Sequence, residues 1–390
     1  MKTTKILIVA AFFLMLWVPL LNIYFGPIDR ITLKGKTKRQ TNKHASEPSL
    51  LDGSLQADIE KRALAKSKLR GYFVRTDNQI NYSLFNQLNN NYKTGNILGA
   101  NGAVFSAEEL ENFNRLNLVE DSKLERLARN LAVLQSLLAK RNITFLFIFS
   151  PNRLTLYPEI VLPEYVISSR RAELSNYDRL RPKLEQYGVQ YLNGEKILRE
   201  ASLRTGLPMY GAGGFHYNAY AACIMAQSLV KRISSLSGRK LRVIQCDPAR
   251  LPRKRGVDDY ELVRISNLWR FSYPPLISPI PANKTLADGD EYQPSVFMEG
   301  TSFCWGLNQA IDKHRIFRNR DFYFYFHSHN TWPQKTEPVD IDRENVDWEK
   351  DVLSHDVFLL EVYDGGIQRT GHGIVEKLIS YLTSTSESAS

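Results

Sequence analysis

The chain has little cysteine and little histidine. Only three of its 390 residues are cysteines, and seven are histidines. Cys223, Cys246 and Cys304 form no Cys-x-x-Cys pair, and no His/Cys cluster has the spacing of a zinc site. The sequence therefore predicts no metal centre. It allows at most one disulfide within the chain, which does not decide between a reducing and an oxidising compartment.

The chain also lacks internal repeats and nucleic-acid recognition motifs, although its formal net charge is +10. Much of the basic excess lies at residues 30–43. Because no recognition motif accompanies this charge, we do not expect nucleic-acid binding. We interpret it as a solvated linker rather than as a patch that attracts anionic lipid or anionic polysaccharide.

Residues 6–25 are almost wholly apolar and uncharged. Their length is close to the ~20 residues that a helix needs to cross a bilayer. The alternative is a cleaved signal peptide, whose apolar region spans roughly 7–15 residues and ends at a small-x-small site. Because the run ends Leu-Asn-Ile-Tyr-Phe-Gly-Pro instead, we expect an N-terminal membrane anchor over residues 1–28.

The charges that flank this segment leave its orientation open. Lys2 and Lys5 precede it, whereas a larger basic cluster follows it. The positive-inside rule would keep the second cluster in the cytoplasm, but long domains are translocated largely regardless of charge. The basic cluster contains Arg30, Lys34, Lys36, Lys38, Arg39 and Lys43.

Composition divides the remaining chain into three parts. Residues 29–90 are polar and lack a sustained apolar period, which predicts a basic linker or stalk. Residues 91–382 are long enough for one large domain. The tail 383–390, rich in serine and threonine, is predicted to be disordered.

Helix and strand patterns alternate along this domain. Leucines recur at helical intervals between Leu124 and Leu138, and the apolar run 143–149 is typical of a strand buried on both faces. The alternation predicts an α/β sandwich around a mainly parallel sheet, with its site at the carboxyl ends of the strands. Further helices are predicted at 171–187 and 217–233, and further strands at 189–192, 295–298, 322–326 and 357–362.

Two short segments contain the residue types that nucleophilic acyl transfer needs. Gly-Thr-Ser-Phe at 300–303 places Ser302 on a turn between a strand and a helix, where backbone N–H groups also point. Gly-Gly-Phe-His-Tyr-Asn at 213–218 places His216, a side chain suited to moving protons near neutrality, before another helix. In the alternative interpretation, each residue only caps its helix.

Two further positions are candidates of lower specificity. Asn152 and Arg153 follow the apolar strand, where Asn152 would donate to an oxyanion and Arg153 would bind a carboxylate or hydroxyl-rich substrate. A structural loop is the equal alternative. Cys304 is a rival nucleophile, but its neighbours Phe303 and Trp305 favour a buried, inert thiol.

The order and spacing of five segments resemble the SGNH-hydrolase-like O-acetyltransferases of bacterial exopolysaccharide assembly, relatives of the alginate O-acetyltransferases. Each segment is short, but all five occur in the family's order. They are residues 97–105, 151–159, 213–218 (with Tyr217 in place of a tryptophan), 300–303 and 356–374.

The resemblance implies an SGNH-hydrolase-like three-layer α/β/α sandwich in which Ser302 is the nucleophile and His216 its base. It implies no cofactor. The alginate enzymes place an aspartate two residues before the histidine, and this chain has Gly214 there. The orienting acid then comes from Asp364 or Glu361, at the end of the last strand, or is absent.

The resemblance also implies the biological setting. We expect a single-pass protein of the bacterial inner membrane whose domain faces the periplasm or exterior. It would transfer acetyl groups to a polysaccharide acceptor, with a multispanning membrane acyltransferase as the partner that delivers them. Two alternatives remain: a carbohydrate esterase with water as the acceptor, and a non-catalytic glycan-binding subunit without a working base.

Overall fold

The structure is a computed structural model of the chain. It describes residues 2–26, 29–35, 53–56, 68–88, 95–250, 254, 256–274, 277–286, 289–334 and 337–387. These residues belong to two compact units: residues 1–98 with 262–272 form the first unit, and residues 99–261 with 273–390 form the second. Most of the predicted basic cluster, at residues 36–43, lies outside the described residues.

The first unit contains helices α1 (Lys2–Phe25) and α2 (Arg70–Phe85) and strand β1 (Asn96–Leu98). Helix α2 falls within the predicted linker, and its Asn78 donates a 2.8 Å hydrogen bond to the Ser266 carbonyl. Part of that linker is therefore folded against the segment 262–272. No helix among the described residues combines the length and apolarity needed to cross a bilayer.

The second unit alternates strands and helices. Its strands are β2 (Val104–Ser106), β3 (Thr144–Ser150), β4 (Tyr191–Asn193), β5 (Val243–Arg250), β6 (Ile280–Leu286), β7 (Ser295–Gly300), β8 (Asn319–Phe324), β9 (Ser328–Trp332), β10 (Val339–Asp340) and β11 (Val357–Tyr363). Its helices are α3 (Ala107–Phe113), α4 (Asp121–Ala139), α5 (Arg153–Leu156), α6 (Ser168–Arg171), α7 (Asn176–Gln186), α8 (Gly194–Thr205), α9 (Ala219–Ser237), α11 (Phe303–Lys313) and α12 (Ile374–Glu387); α10 (Glu261–Ile265) begins at its boundary with the first unit.

Seven of these strands form one mixed sheet in the order β10-β9-β8-β7-β11-β3-β4. The five strands from β8 to β4 are parallel, which confirms the predicted parallel sheet for that part. Strands β9 and β10 extend it antiparallel. Because parallel strands end at the same edge, the residues after β3, β7 and β11 lie along one side of the sheet.

Helices cover both faces of the sheet, so the second unit has three layers. Side chains alternate along β3: Phe145, Phe147 and Phe149 pack with α4, α7 and α12, whereas Leu146 and Ile148 pack with α8, α9 and α11. A strand buried on both faces reads as a continuous apolar run. This is why the segment 143–149 was recognisable from sequence.

Local boundaries differ from the predictions where caps decide them. Helix α7 begins at Asn176, later than the predicted 171, because Ser175 and Asp178 form a capping box there. The prediction of a disordered tail from residue 383 is wrong up to Glu387, since α12 continues to that residue. Residues 388–390 lie outside the described residues.

A hairpin and a disulfide complete the second unit. Strands β5 and β6 pair antiparallel. Cys223 on α9 and Cys246 on β5 form a disulfide, the one that the cysteine count allowed. Cys304 is the remaining thiol, and it is fully buried. This confirms the buried thiol predicted from its apolar neighbours, and burial raises its pKa well above the ordinary value.

Candidate active site

The turn that presents Ser302 is fixed by buried contacts. Strand β7 ends at Gly300, where an added Cβ would lie 2.6 Å from the Cys304 sulfur and 2.8 Å from the Glu361 Cβ, so only glycine fits. The Thr301 backbone N–H and hydroxyl both donate to the Glu361 carboxylate, at 2.8 and 2.7 Å. The Glu361 carboxylate therefore fixes the backbone just before Ser302.

The Ser302 hydroxyl is free of the capping role that sequence alone left open. Ser302 occupies the N-cap position of α11, yet its side chain makes no cap hydrogen bond. Its Oγ lies 2.7 Å from His216 Nε2 and 3.4 Å from the Tyr325 hydroxyl. The structure thus brings together the two residues that the sequence singled out 86 positions apart.

The loop that holds His216 is tied to the serine helix. Asn218, not His216, caps α9 by accepting from the Ala221 N–H at 2.9 Å. The buried Tyr217 hydroxyl donates to the Phe303 carbonyl at 2.9 Å. Because one bond joins the residue after His216 to the residue after Ser302, the imidazole and the hydroxyl keep a fixed separation.

The third member of the site is Glu261, which the sequence analysis missed. A carboxylate oxygen of Glu261 lies 3.0 Å from His216 Nδ1, and the same carboxylate accepts from the Phe215 N–H at 3.2 Å. Burial alone would raise the pKa of Glu261, but the hydrogen bond and charge of His216 lower it below the ordinary value. The acid is therefore ionised at neutral pH and can orient and stabilise an imidazolium.

Contacts between segments distant in sequence, and not a local sequence motif, position Glu261. The Gly213 N–H donates to the Asp259 carbonyl at 3.1 Å, which joins the histidine loop to the segment before Glu261. The Asp259 carboxylate in turn accepts from the N–H groups of Ser278 and Gly256, at 2.9 and 3.1 Å. No spacing rule relates Glu261 to His216, so the sequence contained no signal for this acid.

Asp364 and Glu361, the predicted orienting acids, lie elsewhere. Glu361 is fully buried beneath the serine turn, where it binds Thr301. Asp364 is also buried, and burial raises its pKa to about 7. The prediction was wrong because both side chains at the end of β11 are directed into the protein. The carboxylate that contacts the His216 imidazole is that of Glu261 instead.

Asn152 and Arg153 also have buried side chains that bond to other parts of the protein. Asn152 is fully buried; its Oδ1 accepts from the Leu154 N–H at 2.9 Å and its Nδ2 donates to the Glu109 carbonyl at 2.9 Å. Arg153 is 2% exposed, donates to the Gly211 carbonyl at 3.0 Å and pairs with the Glu109 carboxylate at 3.4 Å. These bonds contradict the predicted oxyanion and substrate roles and favour the structural alternative.

A second hydrogen-bonded group lies behind the serine. Tyr325 follows β8 with a left-handed backbone (φ 52°), and its ring and the His372 ring form an edge-to-face pair with 5.0 Å between their centroids. His372 Nδ1 lies 2.8 Å from the buried Glu299 carboxylate. Burial raises the pKa of Glu299 to about 7, although His372 opposes the shift. This arrangement directs the Tyr325 hydroxyl toward Ser302.

Ser302, His216 and Glu261 line a cavity of about 550 Å³. Its walls are largely apolar, and helix α11 contributes Trp305, Gln309 and Lys313 to its lining. Among the described residues, no group of three or more His, Cys, Asp or Glu side chains could hold a metal ion. An acid, an imidazole and a hydroxyl in series beside an open cavity are equipped for nucleophilic acyl transfer.

Comparison with known proteins confirms the family resemblance. Residues 97–261 match the family model described as "SGNH hydrolase-like domain, acetyltransferase AlgX". The matched region includes His216 and Glu261 and ends before Ser302. Together with the layered sheet, this match shows an SGNH-like α/β fold. No curated protein sequence matches the chain.

Solved structures give distant similarities. The O-acetyltransferase domain of Pseudomonas putida AlgJ is 17% identical, with 75% of this chain and 99% of that chain covered and a TM-score of 0.44. Pseudomonas aeruginosa AlgX is 12% identical, with 74% and 69% covered and a TM-score of 0.46. Bacillus cereus PatB1 is 11% identical, with 64% and 92% covered and a TM-score of 0.37.

Proposed function

We propose that the second unit is a serine O-acyltransferase that moves an acetyl group to hydroxyls of an extracellular polysaccharide. The observation that carries this proposal is the hydrogen-bonded series Glu261–His216–Ser302, with 3.0 and 2.7 Å between its members. The match of residues 97–261 to an acetyltransferase family supports acetyl as the transferred group.

In the first half-reaction, Ser302 Oγ attacks the carbonyl carbon of the acetyl donor while His216 Nε2 takes the hydroxyl proton. The Glu261 carboxylate stabilises the resulting imidazolium through Nδ1–H. The Ser302 backbone N–H, at the start of α11, and the Tyr325 hydroxyl are the proposed donors to the oxyanion. Collapse of the tetrahedral intermediate breaks the bond to the leaving group, which receives the proton from His216.

In the second half-reaction, a sugar hydroxyl enters the cavity and attacks the acetyl-serine carbonyl. His216 Nε2 now takes the proton of the sugar hydroxyl and later returns it to Ser302 Oγ as the ester bond to serine breaks. The products are an O-acetylated sugar and the free enzyme. Water in place of the sugar would give acetate, so the esterase alternative uses the same residues.

The binding-subunit alternative loses its motivation. It depended on the absence of an acid at Gly214, and Glu261 occupies the required position beside His216. We therefore prefer an active enzyme. A multispanning membrane acyltransferase as the acetyl-donating partner remains part of the proposal, implied by the family resemblance alone.

We propose further that the second unit works outside the cytoplasm, attached to the bacterial inner membrane. The Cys223–Cys246 disulfide supports an oxidising compartment. A topology reporter fused after Ser390 tests this placement: activity of an exported reporter supports it, and activity of a cytoplasmic reporter contradicts it.

Intact-mass spectrometry after exposure to p-nitrophenyl acetate tests the chemistry. We expect one acetyl adduct on the wild type, none on Ser302→Ala, and much slower labelling of His216→Ala. Ser384→Ala, in an exposed part of α12, is the control and should label as the wild type does. A folded wild type without an adduct would restore the binding-subunit alternative. Acetate as the sole product with every glycan offered would favour the esterase.

A further inference from the structure

A second cavity lies beside the proposed active site. It has a volume of about 500 Å³ and shares Trp305, Gln309 and Lys313 with the cavity that contains Ser302. The two spaces therefore meet along one helix, α11. The second cavity is also lined by Asn308, Asp312, Arg320, Asn330, Thr331, Trp332 and Pro338.

Helix α11 contributes lining residues to both cavities. Trp305, Asn308, Gln309 and Asp312 follow the spacing i, i+3, i+4, i+7, which aligns side chains on the same side of a helix. A molecule whose reacting group lies at Ser302, the residue just before this helix, would extend naturally along the same face. The geometry thus places the second cavity on the path of an extended substrate.

The cavity contains buried amides whose hydrogen-bonding capacity is unused. Asn308 is only 2% exposed, yet neither its Oδ1 nor its Nδ2 has a partner among the described residues. The Nδ2 of Asn330, 7% exposed, is also without one there. Leaving such a group unpaired in the interior is unfavourable, because it has lost its hydrogen bonds to water. Unsatisfied buried polar groups that line a cavity are therefore evidence for a ligand with its own donors and acceptors.

Aromatic rings stand at the same cavity. Trp305 is 43% exposed, and Phe322 and Phe324 hold its ring with centroid distances of 5.1 and 5.4 Å. Trp332, at the end of β9, also lines the space. An exposed indole that is already fixed by its neighbours loses little side-chain freedom when it binds. Its face suits a flat surface of C–H groups.

The charges that line the cavity are largely balanced. Arg320, 4% exposed, donates to Asp312 at 2.8 Å and to the Asn330 Oδ1 at 3.4 Å. This pairing leaves amides, rather than a cluster of free cations, as the main polar groups available. A ligand with many hydroxyls fits this lining better than a highly charged anion.

We propose that this second cavity binds a pyranose ring of the acceptor glycan. The Trp305 ring lies against the C–H face of the sugar, and the Asn308 amide bonds its hydroxyls, each of which both donates and accepts. The assignment of the glycan as the acceptor depends on the proposed acyl transfer, but sugar binding itself does not. The subsite would hold the next ring along while a hydroxyl of its neighbour reacts at Ser302.

Calorimetric titration with two tetrasaccharides tests the proposal. The full chain with Ser302→Ala, which cannot transfer an acyl group, is titrated with cellotetraose and with tetragalacturonate. We expect at least one of them to bind, and Trp305→Ala to weaken that binding by about tenfold or more, the loss expected of one stacked aromatic contact. Trp269→Ala is the matched control, because Trp269 is 42% exposed and lines neither cavity.

Asn308→Leu separates ligand binding from a structural role. Replacing an unpaired buried amide by an apolar side chain of similar size removes a desolvation penalty, so the melting temperature should stay the same or rise. Binding of the tetrasaccharide should nevertheless fall by about tenfold, since one good hydrogen-bonding group is lost. A structural role for Asn308 predicts the opposite order, with lower stability and unchanged binding.

The outcomes distinguish this proposal from the proposed function. Unchanged affinity in both Trp305→Ala and Asn308→Leu overturns the subsite, even if the wild type forms the acetyl adduct. Failure of the Ser302→Ala parent to bind either tetrasaccharide overturns it as well. Loss of binding in the variants, with no acetyl adduct on the wild type, retains the subsite and rejects the acyl transfer.

Discussion

Replacing Glu261 by glutamine should slow acylation of Ser302 without unfolding the second unit. Glutamine keeps the size of the side chain and can still accept from the Phe215 N–H, but it loses the charge that faces His216. Two unit charges about 4 Å apart attract by about 1 kcal/mol in water and about 4 kcal/mol at an effective dielectric constant of 20. Because Glu261 is 33% exposed, we expect a loss between these limits, which corresponds to a rate about 5- to 900-fold lower.

Stopped-flow release of p-nitrophenol from p-nitrophenyl acetate measures this acylation rate directly. Glu261→Asp should recover part of the loss, because it restores the charge at a greater distance from His216. Asp364→Asn is the control for a buried acid that has no contact with the imidazole, and it should acylate at close to the wild-type rate. Wild-type acylation by Glu261→Gln, together with a large loss in Asp364→Asn, would refute our assignment of the orienting acid.

Three further outcomes are expected. Tyr325→Phe removes a hydroxyl 3.4 Å from Ser302 Oγ and should lower the acylation rate by about 10- to 100-fold, with an unchanged circular dichroism spectrum. Cys246→Ser removes the bond to Cys223 across 23 residues and should lower the free energy of unfolding by about 3 kcal/mol in urea titrations. Glu299, whose pKa is raised from 4.5 to about 7, keeps a proton that the unfolded chain loses. Glu299 should therefore contribute a loss of about 3 kcal/mol of stability between pH 4.5 and 7, and the fall in stability over that range should be smaller in Glu299→Gln by about that amount.

The central strand and the two reacting residues were predictable from sequence because local patterns encode them. Strand β3 is apolar on both faces, since helices cover both sides of the sheet. Ser302 follows a strand at a glycine that cannot carry a side chain, and His216 follows a glycine-rich turn. In each case a short stretch of sequence contains the whole physical reason.

The roles of the surrounding polar residues were not predictable, because they depend on contacts distant in sequence. Asn152 and Arg153 lie at the carboxyl edge of the sheet, where substrate-binding groups also gather, and only burial shows that they bind the interior. Tyr325 lies at the site because its backbone is left-handed, and the residue types around it do not predict that conformation.

The position of Glu261 argues against judging such a site by its local motif. A triad acid must hold the imidazole in one tautomer and stabilise its positive charge, and both tasks depend on the position of a carboxylate, not on its place in the chain. Gly214 leaves the usual position without a carboxylate, yet a loop bound to Gly213 through Asp259 supplies one 45 residues after His216. The lowered pKa of Glu261 keeps that charge at neutral pH. In this chain the acid lies at Glu261 and not at position 214, so a chain that lacks the local aspartate need not be inactive.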